Sequence, residues 1–136
     1  MGALAWLVHN AKKCLSRGVR KLSNRLKCIG RTPGKNSKTG REVFERMRDE
    51  IPPRARIFNE KKQFFDGTTW RDIKEADMGH ITDAVHWWNT EGRKYGERAT
   101  EARKWMLDSK NYELQYYRIN RSNGASLKEV YKEPLK

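Results

Sequence analysis

Acidic residues are missing from the first 41 positions of this 136-residue chain; the first carboxylate is Glu42. The same stretch holds 11 Lys/Arg, whereas residues 42–136 hold 19 against 17 Asp/Glu. The formal charge of +13 therefore belongs largely to an N-terminal arm. Such an excess suits a polyanionic partner, either nucleic acid or an anionic membrane surface. Cysteine is scarce too. Cys14 and Cys28 are the only two and form no CxxC, which excludes a four-cysteine zinc knuckle and leaves a disulfide or two buried thiols open. No apolar run approaches the ~20 residues a membrane helix needs; the stretch Ala3–Val8 is far too short. It does not read as a secretory signal either, because its basic residues follow the apolar run instead of preceding it. Glycine-rich loops of the GxGxxG or Walker type are absent, as is any internal repeat, which argues against Rossmann and P-loop folds.

Hydrophobic residues make up 36% and charged residues 35%, enough for one domain with a modest core. Five Trp, five Tyr and four Phe argue against a fully disordered chain. In the arm, Leu4, Val8, Ala11, Leu15, Val19, Leu22 and Leu26 recur at steps of three and four, the stripe of an amphipathic helix weakened by Gly18. Residues 30–40 (GRTPGKNSKTG) read as a linker, dividing an arm or connector at 1–33 from a domain at 34–136. Thr39 and Glu42 have capping-box spacing ahead of a helix whose apolar face is Val43, Phe44, Met47 and Ile51, and Pro52-Pro53 ends it. Residues 54–73 look like strands, with Asp66-Gly67 as a turn. Helices are expected over Thr82–Thr90 and Thr100–Asp108, a short strand at 111–115 (NYELQ), and one or two helical turns within Ile119–Val130. The fold class is α+β. Trp70, Trp87, Trp88 and Trp105 are expected in the core.

The chemistry centres on histidine. Of the three, His9 lies in the arm, and His86, beside Trp87-Trp88, reads as a packing residue. His80, in the stretch DMGHITDAVHWWN, follows Gly79 and stands three residues after Asp77. A histidine there is a core residue, a metal ligand or a catalytic base. Metal-dependent phosphodiester hydrolysis needs a base for water, a divalent cation for the departing oxyanion, and cationic groups for the phosphate. His80, Asp77 and the polar cluster NRSN at 120–123 offer such parts, with Arg118, Arg121 and Lys128 as candidates for phosphate.

The order of these pieces resembles the HNH/endonuclease VII superfamily, in which a β-hairpin and a helix surround one metal ion. Asn111 opens NYELQ, and nine residues later comes Asn120 of INRSNG, all behind the upstream His80. The stretches GKNSKTGREVFERMR, ADMGHITDAVHWWN and WMLDSKNYELQYYRINRSNGASL look closer still to the GH-E and GHH branch. That branch supplies C-terminal tips of polymorphic toxins, including those of the Rhs type. The resemblance spans roughly residues 34–128 and implies a ββα-metal (His-Me finger) core with added helices and a basic N-terminal helical arm.

Carried over position by position, the resemblance makes His80 the general base, Asn120 a metal ligand and Asn111 the residue that fixes the connecting loop. Gly79 stands where many relatives have a metal-binding Asp or His, and Asp77, on the same side of an extended strand, is expected to reach the metal instead. The family's glutamate falls on Gln115, with Glu113 on the same strand face as a substitute. The third histidine of the GHH pattern is Asn123 here. Hard oxygen ligands and few carboxylates suit Mg²⁺, with Mn²⁺, Ni²⁺ or Zn²⁺ as alternatives.

The resemblance implies a DNase toxin delivered into a competing bacterial cell and acting in its cytoplasm, neutralised in the producer by an acidic immunity protein. RNA remains an alternative substrate. Two other classes of function stay open on the residues alone: a non-catalytic nucleic-acid-binding module, and a membrane-active tip formed by residues 1–29.

Overall fold

The computed structural model describes residues 23–136. The apolar stripe from Leu4 to Leu22, His9 and Cys14 lie outside the described residues. Helix α1 (Asn24–Cys28) opens on Ser23, whose hydroxyl accepts from Leu26 N–H. Helix α2 (Lys38–Asp49) is capped by Ser37, which accepts from Gly40 N–H at 3.1 Å. The cap therefore lies two residues before the expected Thr39. Thr39 is instead buried and donates to the carbonyl of Leu107 at 2.8 Å. Val43, Phe44 and Met47 face inward as their spacing requires, but Ile51 is 98% exposed. The helix stops at Asp49, so position 51 no longer follows its period.

Three strands follow, β1 (Ala55–Phe58), β2 (Lys61–Phe65) and β3 (Trp70–Asp72), paired antiparallel in that order. The first turn is made by Asn59 and Glu60, both at positive φ (51° and 64°), the backbone a two-residue hairpin demands. The second lies at Asp66-Gly67. Asp66 Oδ1 accepts from the N–H groups of Thr68 and Thr69, both at 2.7 Å.

A second sheet pairs β4 (Ala76–His80) antiparallel with β5 (Tyr112–Tyr116), in a register that sets Ala76 opposite Tyr116 and His80 opposite Tyr112. Between them the chain makes α3 (Ala84–Thr90) and α4 (Thr100–Leu107); after β5 it runs directly into α5 (Tyr117–Ala125). The molecule is thus α+β with small antiparallel sheets. Period-two alternation gives the β4–β5 pair two unlike faces. Ala76, Met78, Tyr112 and Leu114 are buried, whereas Asp77, Gly79, Glu113 and Gln115 lie on the opposite side.

Two apolar clusters result. One gathers α2 and the strands around Val43, Phe44, Met47, Phe64 and Leu114. The other joins Cys28 and Ile29 to Ala84, Trp88, Ala102 and Met106, flanked by Trp87 and Trp105. Ile29 is 1% exposed, and Arg98 N–H and Arg103 Nη1 donate to the carbonyls of Cys28 and Arg31. Residues just before the boundary expected at residue 33 thus pack against α3 and α4. Cys28 is a buried thiol, pushed up to about 11 mainly by that burial. Of the tryptophans, Trp88 is fully buried and Trp87 and Trp105 stack at 4.8 Å. Trp70 stays outside both clusters, against Phe65 and under the Arg56 guanidinium. His86 does not pack: it is exposed, with Nδ1 3.5 Å from Glu129 Oε1. Among the described residues no helix is long and apolar enough to cross a membrane.

Candidate functional site

His80 ends β4 where the two clusters meet. Its ring lies 4.6 Å from that of Tyr112 and stacks on Trp105 at 5.7 Å, with planes 10° apart. Strand parity turns it toward the side of Met78 and not that of Asp77. Nε2 is buried and has no hydrogen-bond partner among the described residues. Burial, reinforced by the nearby Arg25 guanidinium, pushes the imidazole down to about 4, so it is neutral at pH 7. The ring also borders a pocket of about 390 Å³ that Gln115, Asn120, Asn123 and Arg25 share.

The loop entering β5 is tied down on several sides. Asn111 Nδ2 donates to the carbonyl of Trp105 at 2.8 Å, and its own carbonyl accepts from Ile81 N–H at 2.8 Å. Asn111 thus joins the end of α4, through its side chain, to the residue after His80, through its backbone carbonyl. From α2, Arg46 donates to the carbonyls of Ser109 and Tyr112 on either side.

On the other face, α5 meets β4. Asp77 accepts from Asn120 Nδ2 at 3.1 Å and from Arg121 through two bonds, 2.9 Å from Nε and 3.0 Å from Nη2. Burial opposes ionisation of Asp77, but these donors outweigh it and hold the carboxyl below its ordinary range. Asp77 and Arg121, expected at a metal and at a phosphate, instead pair with each other. Glu113 is similarly engaged, accepting from Arg54 Nη1 and from Gln115 Nε2, both at 2.9 Å. Gly79 has a specific task. A Cβ there would lie 2.3 Å from Cδ and Oε1 of Gln115, so the glycine makes room for that side chain and not for the imidazole beside it. Arg118 and Lys128 are exposed and border none of the pockets around His80; the Arg118 guanidinium lies 5.4 Å from the Tyr117 ring.

No three His, Cys, Asp or Glu side chains converge as a metal group among the described residues. The pocket offers mainly neutral oxygen instead. Asn120 and Gln115 each use an amide nitrogen as donor, leaving the carbonyl oxygen as acceptor. With Asn123 and the Asp83 carboxylate they are oxygen donors of the kind a hard, largely hydrated cation takes, and the guanidiniums of Arg25 and Arg121 line the same pocket. Sequence reasoning missed Arg25, Arg46, Arg54 and Tyr112, all of which shape this region. Their positions follow from tertiary packing and carry no local spacing signal.

No family model, curated protein or solved structure matches this chain.

Proposed function

We propose that the chain is a metal-dependent endonuclease of the ββα-metal type, hydrolysing phosphodiester bonds of DNA. The observation that carries this reading is the shared pocket of His80 and Asn120: a strand-end imidazole and a helix amide, contributed by an antiparallel strand pair whose second strand leads straight into a helix. Asn111 supports it by fixing the connection between the two strands.

In this reading His80, neutral at pH 7, accepts a proton from water whose oxygen attacks phosphorus in line, as the bond to the leaving oxygen breaks. The carbonyl oxygens of Asn120, Gln115 and Asn123 would hold the cation, which supplies positive charge for the leaving oxygen. Asp77 keeps the Asn120 amide turned so that its nitrogen faces the carboxylate. Arg121 orients phosphate only after exchanging its bonds to Asp77. A set of neutral amides holds cations weakly, so activity should need roughly millimolar Mg²⁺. In the toxin context an acidic immunity protein would cover the basic pocket, and the target-cell cytoplasm would be the place of action.

The test is plasmid cleavage with Mg²⁺, with EDTA, and by His80→Ala. Cleavage that needs the metal and is lost in the variant is the expected result. Cleavage retained by His80→Ala removes the imidazole from the chemistry, and DNA binding without cleavage under any divalent metal on DNA or RNA overturns the reading in favour of a non-catalytic binding module.

A further inference from the structure

Arg25 differs from several arginines near the site, and from Arg46, whose guanidinium is taken up by the carbonyls of Ser109 and Tyr112. Arg121 is held by Asp77, Arg54 by Glu50 and Glu113, and Arg71 by Asp66 and Glu75. Among the described residues Arg25 has no carboxylate partner. Three carboxylates border the same pockets, Asp83, Asp77 and Glu129, and none forms an ion pair with it. Asp77 is taken by Arg121, and Glu129 accepts from Asn89. Residues 1–22 contain no carboxylate at all, so none can come from there. Its guanidinium donates to Thr32 Oγ1 at 3.2 Å and lies against the Tyr131 hydroxyl, both uncharged partners.

Its position is fixed from below. Cys28 and Ile29, on the next turn, are buried in the second apolar cluster, which holds α1 against α3 and α4. Arg25 borders both the His80 pocket and an adjoining pocket of about 450 Å³ that contains Asn120 and Asp77. Gln115 and Asn123 continue the first into a third pocket of about 330 Å³. Pockets joined this way suit an extended ligand better than a single small anion. A guanidinium that no carboxylate neutralises on such a groove matches phosphate oxygens, to which it donates in a planar fork.

We propose that Arg25 is an anion-binding residue of the His80 pocket and takes a phosphate oxygen of a bound polynucleotide. That the anion is a phosphodiester rests on the nuclease reading; that the pocket takes an anion does not. The segment counted from sequence as a connector thereby completes the site.

The experiment measures binding of a fluorescein-labelled 20-base-pair DNA duplex to the full chain in EDTA, across a salt series. Arg25→Gln should weaken binding about tenfold and lower the salt slope by about one, with an unchanged melting temperature, and Arg25→Lys should recover most of the slope. Arg48→Gln, an exposed arginine of α2, is the control for charge in general. Wild-type affinity and slope in Arg25→Gln, or an equal loss in Arg48→Gln, overturn the proposal. Cleavage by the same proteins separates it from the nuclease reading. If His80→Ala is inactive while Arg25→Gln binds as wild type, only the role of Arg25 falls. If wild type never cleaves but Arg25→Gln loses affinity and slope, the nuclease reading falls and the anion site stands.

Discussion

The two apolar clusters of this protein are built differently. The first combines one amphipathic helix with adjacent strands, and its members Val43, Phe44, Met47, Phe64 and Leu114 lie on regular periods of 3.6 or 2. The second collects Cys28 and Ile29 from the N-terminal segment, Ala84 and Trp88 from α3, and Ala102 and Met106 from α4. Short pieces far apart in sequence meet there, closed by the Trp87–Trp105 stack. His80 lies on the seam, with Tyr112 of the first cluster on one side and Trp105 of the second on the other. The site therefore depends on both cores being present, and the second depends on residues preceding the apparent linker.

The largest effect follows directly. Deleting residues 1–33 removes Ile29 and Cys28 from the second cluster and two carbonyls that accept from Arg98 and Arg103. Stability measured by urea unfolding should fall by several kcal/mol, enough to unfold a domain of marginal stability. The point variants Ile29→Ala and Leu114→Ala, one in each core, should each cost about 2–5 kcal/mol. A truncated chain as stable as the full one would show that the second cluster closes without its N-terminal members.

Protonation of the seam comes next. In the unfolded chain the imidazole of His80 takes a proton near its ordinary 6.5, whereas in the folded chain burial and Arg25 delay this to about 4. Between those values the unfolded state binds more protons, so stability declines as pH falls. At ~1.4 kcal/mol per unit the loss approaches about 3 kcal/mol. Urea unfolding at pH 7 and pH 4.5 should show a smaller decline in His80→Gln than in wild type. For the nuclease reading, the acid limb of kcat/KM should likewise lie well below pH 6.5.

On the polar face of β4–β5 the expected change is smaller. Gly79→Ala places a methyl against the far end of Gln115, a flexible side chain that can move aside only by giving up its bond to Glu113. A cost of about 1–2 kcal/mol is expected, most of it relieved when Gln115→Ala is added. Additive costs in that double-mutant cycle would mean that Gly79 matters for its backbone and not for the space it leaves.

This contrast also explains what was legible in the sequence. The first core and the strands at 55–65 announce themselves through period and spacing, whereas Asn111 and Asn120 are singled out only by the resemblance that gives their separation a meaning. The second core gives no such sign. Residues 30–40 look like a linker because glycine, proline and lysine dominate, yet Ile29 and Cys28 just before them are buried by helices some 55–80 positions away. The pairing of Asp77 with Arg121 was hidden for a related reason. Each residue type suits a ligand, and only the approach of α5 to β4 shows that they satisfy one another. Arg25 was missed because its lack of a carboxylate partner is a property of the packed molecule.

The smallest effect is expected at the histidine that the sequence placed in the core. His86 sits on α3 between Val85, buried, and Trp87, half-buried, but its own side chain is 56% exposed. Helical geometry accounts for this: successive residues point about 100° apart, so neighbours of a buried side chain face elsewhere. Its contact with Glu129 at 3.5 Å is an ion pair only when the imidazole is protonated, and an exposed pair of that kind contributes little. His86→Ala should change stability by less than about 0.5 kcal/mol and leave cleavage and DNA affinity at wild-type levels. A loss comparable to that of His80→Ala would place His86 in the site and break the distinction between an imidazole held on the seam and one lying on the surface.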